Sequence, residues 1–132
     1  MEKGKNVSPL DILLRPDLPD VRKILPEKQV EVTRLSELAG VPVVFTLRGL
    51  SYDAIRRLQD KPREEQAVAG VVYGCVSPDW RDQRLLDTSQ GVATPMDAVK
   101  ARLTAGEIDE LYIEIQKLSG YLRRTLAEVK NG

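Results

Sequence analysis

The sequence predicts a mainly α (α+β) fold, an N-terminal β-hairpin followed by a compact bundle of about five short helices. Three observations carry this. Two runs before residue 50 alternate apolar and polar side chains, the period of a half-buried strand. From Ser51 onward the apolar spacing changes to that of helices, punctuated by capping residues. The chain has 132 residues, 42% hydrophobic and 30% charged, which suits one ordinary core and argues against disorder.

Residues 1–28 read as an irregular N-terminal segment packing on the core. Leu10, Ile12, Leu13 and Leu14 make a short apolar cluster of one or two helical turns. Pro16, Pro19 and Pro26 then forbid a long helix, and Val21, Ile24 and Leu25 are the expected anchors. Residues 29–120 read as a single globular domain of hairpin plus helices. Gln29 to Leu35 places Val30 and Val32 on one face and Glu31 and Thr33 on the other. Pro42 to Arg48 does the same with Val43, Phe45 and Leu47 against Val44, Thr46 and Arg48. The short connection contains Gly40, so the two runs are expected to form a hairpin. A hairpin alone is marginal in water and needs helices or a partner against it.

Ser51 is placed to cap a helix carrying Ile55 and Leu58. Pro62 suits a first helical residue, with Glu64 and Glu65 at the positive helix end. Val68, Val71, Val72 and Cys75 follow at helical spacing, with a strand as the competing assignment because of β-branching. A brief helix over 81–89 would bury Leu85 and Leu86 and end at Gly91. Thr94-Pro95-Met96-Asp97 opens the next helix, which buries Met96, Val99 and Leu103. Thr104-Ala105-Gly106-Glu107 is a capping box for the strongest one, striped by Ile108, Leu111, Tyr112, Ile115 and Leu118. Gly120 breaks it, and the spacing of Leu122, Leu126 and Val129 predicts a C-terminal helical extension over 121–132.

Composition narrows the function. The 20 basic and 20 acidic side chains cancel, so no general field draws the chain to nucleic acid or an anionic membrane, and self-association into a homo-oligomer is permitted. With no histidine, the usual hydrolytic triads and the commonest metal ligand are missing. No enzymatic activity, cofactor or metal is expected. Cys75 is the one cysteine; without a histidine to activate it, on an apolar stripe, it reads as a buried inert thiol. Asp79, Asp82 and Asp87 lie around Trp80 but lack calcium-loop spacing, so they read as turn caps. Gly70 and Gly74 suggest close backbone packing within the core. The basic pairs Arg56-Arg57 and Arg123-Arg124 carry no interleaved aromatics that would mark a nucleic-acid site. No signal peptide or long apolar run is evident, so the expected compartment is the cytoplasm.

The stretch from Val72 to Tyr121 carries ordered punctuation: Cys75-Val76 with Pro78-Asp79; Leu85-Leu86 leading to Gly91-Val92 and Thr94-Pro95; Leu103 with Gly106-Glu107-Ile108 and Leu111; and Leu118-Ser119-Gly120 with Tyr121. Upstream stand Asp11 to Leu14 and the run Leu47, Arg48, Leu50, Ser51. In order and spacing this resembles the XkdN-like tail assembly chaperones of long-tailed phages and prophages. The resemblance implies a protein that binds the tape measure protein and keeps it soluble during tail tube assembly, in many copies per partner chain. It also implies a tail tube protein as a second partner, recruited through a frameshifted longer product. On this reading the protein works in the cytoplasm of the bacterial host and is absent from the mature virion. The competing reading is a structural tail completion or connector protein retained in the virion. The resemblance transfers no catalytic residues. Interface candidates are Trp80, Tyr112, Ile115, Tyr121 and Leu122, large apolar side chains in loops or near a helix end. For Tyr112 and Ile115, core packing is the stronger assignment.

Overall fold

A computed structural model describes residues 8–129. Among them are six α-helices and one three-stranded antiparallel sheet, a mixed α+β architecture. The strands are β1 (Glu27–Glu31), β2 (Val44–Arg48) and β3 (Cys75–Ser77), in the order β1-β2-β3. The helices are α1 (Pro9–Leu13), α2 (Thr33–Ala39), α3 (Tyr52–Gln59), α4 (Arg63–Gly74), α5 (Pro95–Arg102) and α6 (Ala105–Leu118).

β1 and β2 pair with Val30 opposite Phe45 and Lys28 opposite Leu47. The pleat turns Phe45 and Leu47 into the core and leaves Val44 and Arg48 exposed on the other face. Their connection differs from the tight hairpin expected. The first strand ends at Glu31, and Thr33–Ala39 forms α2 instead of continuing the alternation to Leu35. Gly40 adopts a left-handed conformation (φ 74°) that closes α2. Ser36 Oγ then accepts the Val43 N–H at 2.8 Å, and the Val32 N–H donates to the Val43 carbonyl at 3.0 Å, which restores the pairing.

α4 is the central helix. It packs against α3, α5 and α6, burying Val68, Ala69, Val71 and Val72 with Ile55, Leu58, Ala98, Val99, Ile108, Leu111 and Ile115. Small residues allow the approach: a Cβ on Gly74 would lie 2.6 Å from Ile115 Cδ1. The strand-forming tendency of the end of this segment surfaces one residue after the helix, where Cys75 begins β3. Both capping boxes form. Thr94 and Asp97 satisfy each other's backbone N–H, as do Thr104 and Glu107.

Three further expectations are corrected. The brief helix over 81–89 is two 3₁₀ turns, Gln83–Leu85 and Thr88–Gln90, with Leu85 and Leu86 half-buried. Asp82 and Asp87 each turn back to accept an N–H two residues on, which favours turns over a helix. Residues 8–24 do not pack into the core: α1 buries nothing, and Val21 and Ile24 are exposed, leaving Leu25 half-buried. Finally, 121–129 contains no helix. Gly120 at φ 97° donates to Lys117, and the Tyr121 N–H donates to the Gln116 carbonyl at 2.9 Å, the paired bonds of a left-handed helix stop. Residues 1–7 and 130–132 lie outside the described part of the chain.

Candidate protein-binding surface

The five side chains selected from the sequence separate into two groups. Trp80 is only 2% exposed and packs edge-to-face on Phe45, with centroids 6.1 Å apart and planes at 74°. Its loop folds over the sheet, so it is a core residue and not a surface anchor. Ile115 is 0% exposed against Gly74. Tyr112 is half-buried, its ring against Gly70 of α4. These three hold the molecule together. Tyr121 at 42% and Leu122 at 62% exposure remain available at the end of α6.

That end is tied down. Ser119 Oγ accepts the Leu50 N–H at 2.7 Å and donates to the Ile115 carbonyl at 2.7 Å. Gly49 lies against the Leu118 carbonyl, where any Cβ would collide with backbone. The junction leaves an apolar trough of about 340 Å³ between Val21, Leu25, Leu50, Tyr52, Ile55 and Tyr121. Beside it is a basic pocket of about 440 Å³, lined by Arg22, Lys23, Arg48, Arg57 and Arg81. Arg22 is held by Asp20 at 2.8 Å. Among the described residues, Lys23, Arg48, Arg57 and Arg81 make no salt bridge.

A third depression, about 350 Å³, runs between β1 and α6 with Val30 and Leu111 in its lining and Glu31, Glu107, Glu110 and Glu114 around it. Here two of the four carboxylates are paired. Arg34 pairs with Glu107 at 2.9 Å and Lys28 with Glu114 at 2.6 Å. The Arg34 guanidinium brings the Glu107 carboxyl down to about 2, and Lys28 lowers that of Glu114.

The reactive-looking groups have structural roles. Burial pushes the Cys75 thiol up to about 11, offset only in part by the neighbouring Trp80 indole, so it stays protonated and un-nucleophilic near neutrality. Asp79, Asp82 and Asp87 each accept the N–H of the second residue onward. Among the described residues no cluster of three or more His, Cys, Asp or Glu side chains is arranged to hold a metal ion. No described helix is long and apolar enough to cross a membrane.

Sequence reasoning missed the basic pocket. Its cations come from positions 22–23, 48, 57 and 81, and no local spacing joins them. It also missed the exposure of the N-terminal arm, where Leu10, Leu13, Leu14, Leu18, Val21 and Ile24 all face solvent. A proline-punctuated segment carrying so many aliphatics was the available signal.

Comparison with known proteins follows the same lines. A family model described as phage XkdN-like tail assembly chaperone protein, TAC, matches residues 10–131. The fold is similar to the crystal structure of the protein yqbn, with a TM-score of 0.61 at 19% identity, over 87% of this chain and 98% of that one. At that identity the likeness is one of fold. No curated protein sequence matches.

Proposed function

The chain belongs to the phage XkdN-like tail assembly chaperone family, and from that premise we propose that it binds the tape measure protein and keeps it soluble while the tail tube assembles. It acts by reversible binding alone, without catalysis or cofactor, in the cytoplasm of the bacterial host. The observation that carries this reading is the run of exposed aliphatics from Leu10 to Ile24, which the buried core leaves uncovered. An exposed apolar surface of this kind marks a protein-interaction site. A long amphipathic helical chain has the matching problem, since its own apolar stripe aggregates until covered. Weak contacts repeated by many copies along one partner mask such a stripe and still release it. The tail tube protein, reached through a frameshifted longer product, is the second proposed partner.

The test is aggregation of the phage's own tape measure protein on dilution from denaturant, followed by light scattering. Added chain is expected to suppress scattering in proportion to its concentration, with an inert protein of equal mass as control. Unchanged scattering at a large excess of chain would overturn the proposal. Detection of the chain at stoichiometric amounts in purified virions would favour a structural completion or connector protein.

A further inference from the structure

We infer that the apolar trough and the basic pocket are two ends of one cleft, and that this cleft receives an amphipathic helical segment whose apolar stripe runs into a cluster of Asp or Glu side chains. The inference rests on the proposed function and names the surface and the partner chemistry it uses.

The two depressions adjoin. Leu25, Leu50 and Ser51 line both. At one end Val21, Ile55 and Tyr121 add apolar surface. At the other, Lys23, Arg48, Arg57 and Arg81 line the pocket and make no salt bridge among the described residues, with Asp20, which holds Arg22, also near Lys23. In a chain of net charge zero, Arg48, Arg57 and Arg81, gathered from distant positions without a salt-bridge partner among the described residues, are a local excess beside Arg22 and Lys23. Like charges held together repel unless an anion separates them, so the complementary occupant is acidic.

The occupant is a protein segment and not a nucleic acid. The aromatic ring in the basic pocket, Tyr73, has the Arg81 guanidinium over one face at 5.9 Å, which hinders a base from stacking there. The adjoining half of the cleft is apolar, which suits Leu or Ile side chains better than a phosphate backbone. A helix laid along the cleft would set aliphatics over Leu25 and Leu50 and carboxylates among the cations, the helix-in-groove mode of recognition.

The experiment uses the full chain and two probes: the phage's tape measure protein, and a fluorescent model helix with a Leu stripe followed by four Glu, paired with a Lys version. The acidic helix is expected to bind more tightly than the Lys version, and less tightly as salt rises, because exposed charges are screened within about 10 Å at 0.1 M. The Lys23→Glu, Arg57→Glu double variant should weaken both the model helix and the tape measure protein by about tenfold or more. Val21→Ser with Tyr121→Ala should weaken them through the apolar end. Glu31→Lys, in the separate acidic depression, should change neither. All altered side chains are exposed, and circular dichroism confirms that each variant folds. If the tape measure protein binds wild type and double variant equally, the cleft is wrong and the proposed function stands. If the tape measure protein fails to bind while the acidic helix binds at the cleft, the proposed function falls and the cleft stands. Equal binding of acidic and Lys helices, or displacement by a single-stranded oligonucleotide, overturns the inference.

Discussion

At the scale of single residues, one firm constraint is the close approach of α4 and α6. A Cβ at Gly74 would stand 2.6 to 2.8 Å from three carbons of Ile115, a side chain with no exposure. Alanine normally improves a helix by about 1 kcal/mol over glycine. Here overpacking, typically about 1–3 kcal/mol, opposes it. Gly74→Ala is therefore expected to lower the urea midpoint. Gly106→Ala, in the first turn of α6 with open space around it, should raise it slightly. If Gly74→Ala is as benign as Gly106→Ala, the packing described for α4 and α6 is incorrect. The sequence made this contact legible as paired glycines, but Trp80 misled. A lone aromatic flanked by Pro78-Asp79 on one side and by Asp82 and Asp87 on the other looks like a loop anchor, and the Phe45 ring beneath it, from a strand 35 positions earlier, explains its burial.

Among the elements, α6 shows how one residue serves two structures. Glu107 closes the capping box by accepting the Thr104 N–H at 2.8 Å, and it also pairs with Arg34 of α2. Arg34, the larger cause, holds its carboxyl at about 2, below its ordinary 4.5. A depressed carboxyl contributes stability that is fully present above the ordinary value and lost as pH falls through the folded one. Stability should therefore decline between about pH 4.5 and 2, and Arg34→Ala should make that decline shallower in urea titrations. Parallel declines in the two proteins would remove the pair from the account. Thr104→Ala should cost about 1 kcal/mol at neutral pH by uncapping α6.

These caps were legible because their signals lie within four residues. The β1–β2 connection was not. Val30-Glu31-Val32-Thr33 alternates like a strand, yet the following Leu35-Ser36-Glu37-Leu38-Ala39 favours helix and Gly40 supplies the left-handed stop. Where a short strand signal abuts a capped helical one, alternation alone misplaces the boundary by several residues. The C-terminal segment failed for the opposite reason. Leu122, Leu126 and Val129 keep helical spacing, but Gly120 and the bonds from Tyr121 and Gly120 back into α6 end the helix before it.

For the molecule as a whole, the packed core and the exposed apolar arm are two separate facts. The core explains why the chain holds one structure. The arm, with Leu13 and Leu14 at 67% and 70% exposure, does nothing for that core and is available to a partner. Leu13→Asp with Leu14→Asp should leave the free energy of unfolding within about 0.5 kcal/mol of wild type, since no buried contact is lost. The same variant should protect the tape measure protein less well from aggregation. Retained protection would move the binding surface away from the arm. Family resemblance was readable from the order of punctuation along the chain. The basic pocket and the apolar trough were not, because each is assembled from side chains far apart in sequence.

The most direct measurement is co-expression of the chain with the tape measure protein of its own phage, followed by purification on a tag carried by the tape measure protein and weighing of the complex by light scattering. The account predicts a soluble complex with several copies of this chain per tape measure protein, where the tape measure protein alone is insoluble. A tape measure protein that is soluble by itself, or that aggregates whether or not the chain is present, would contradict it.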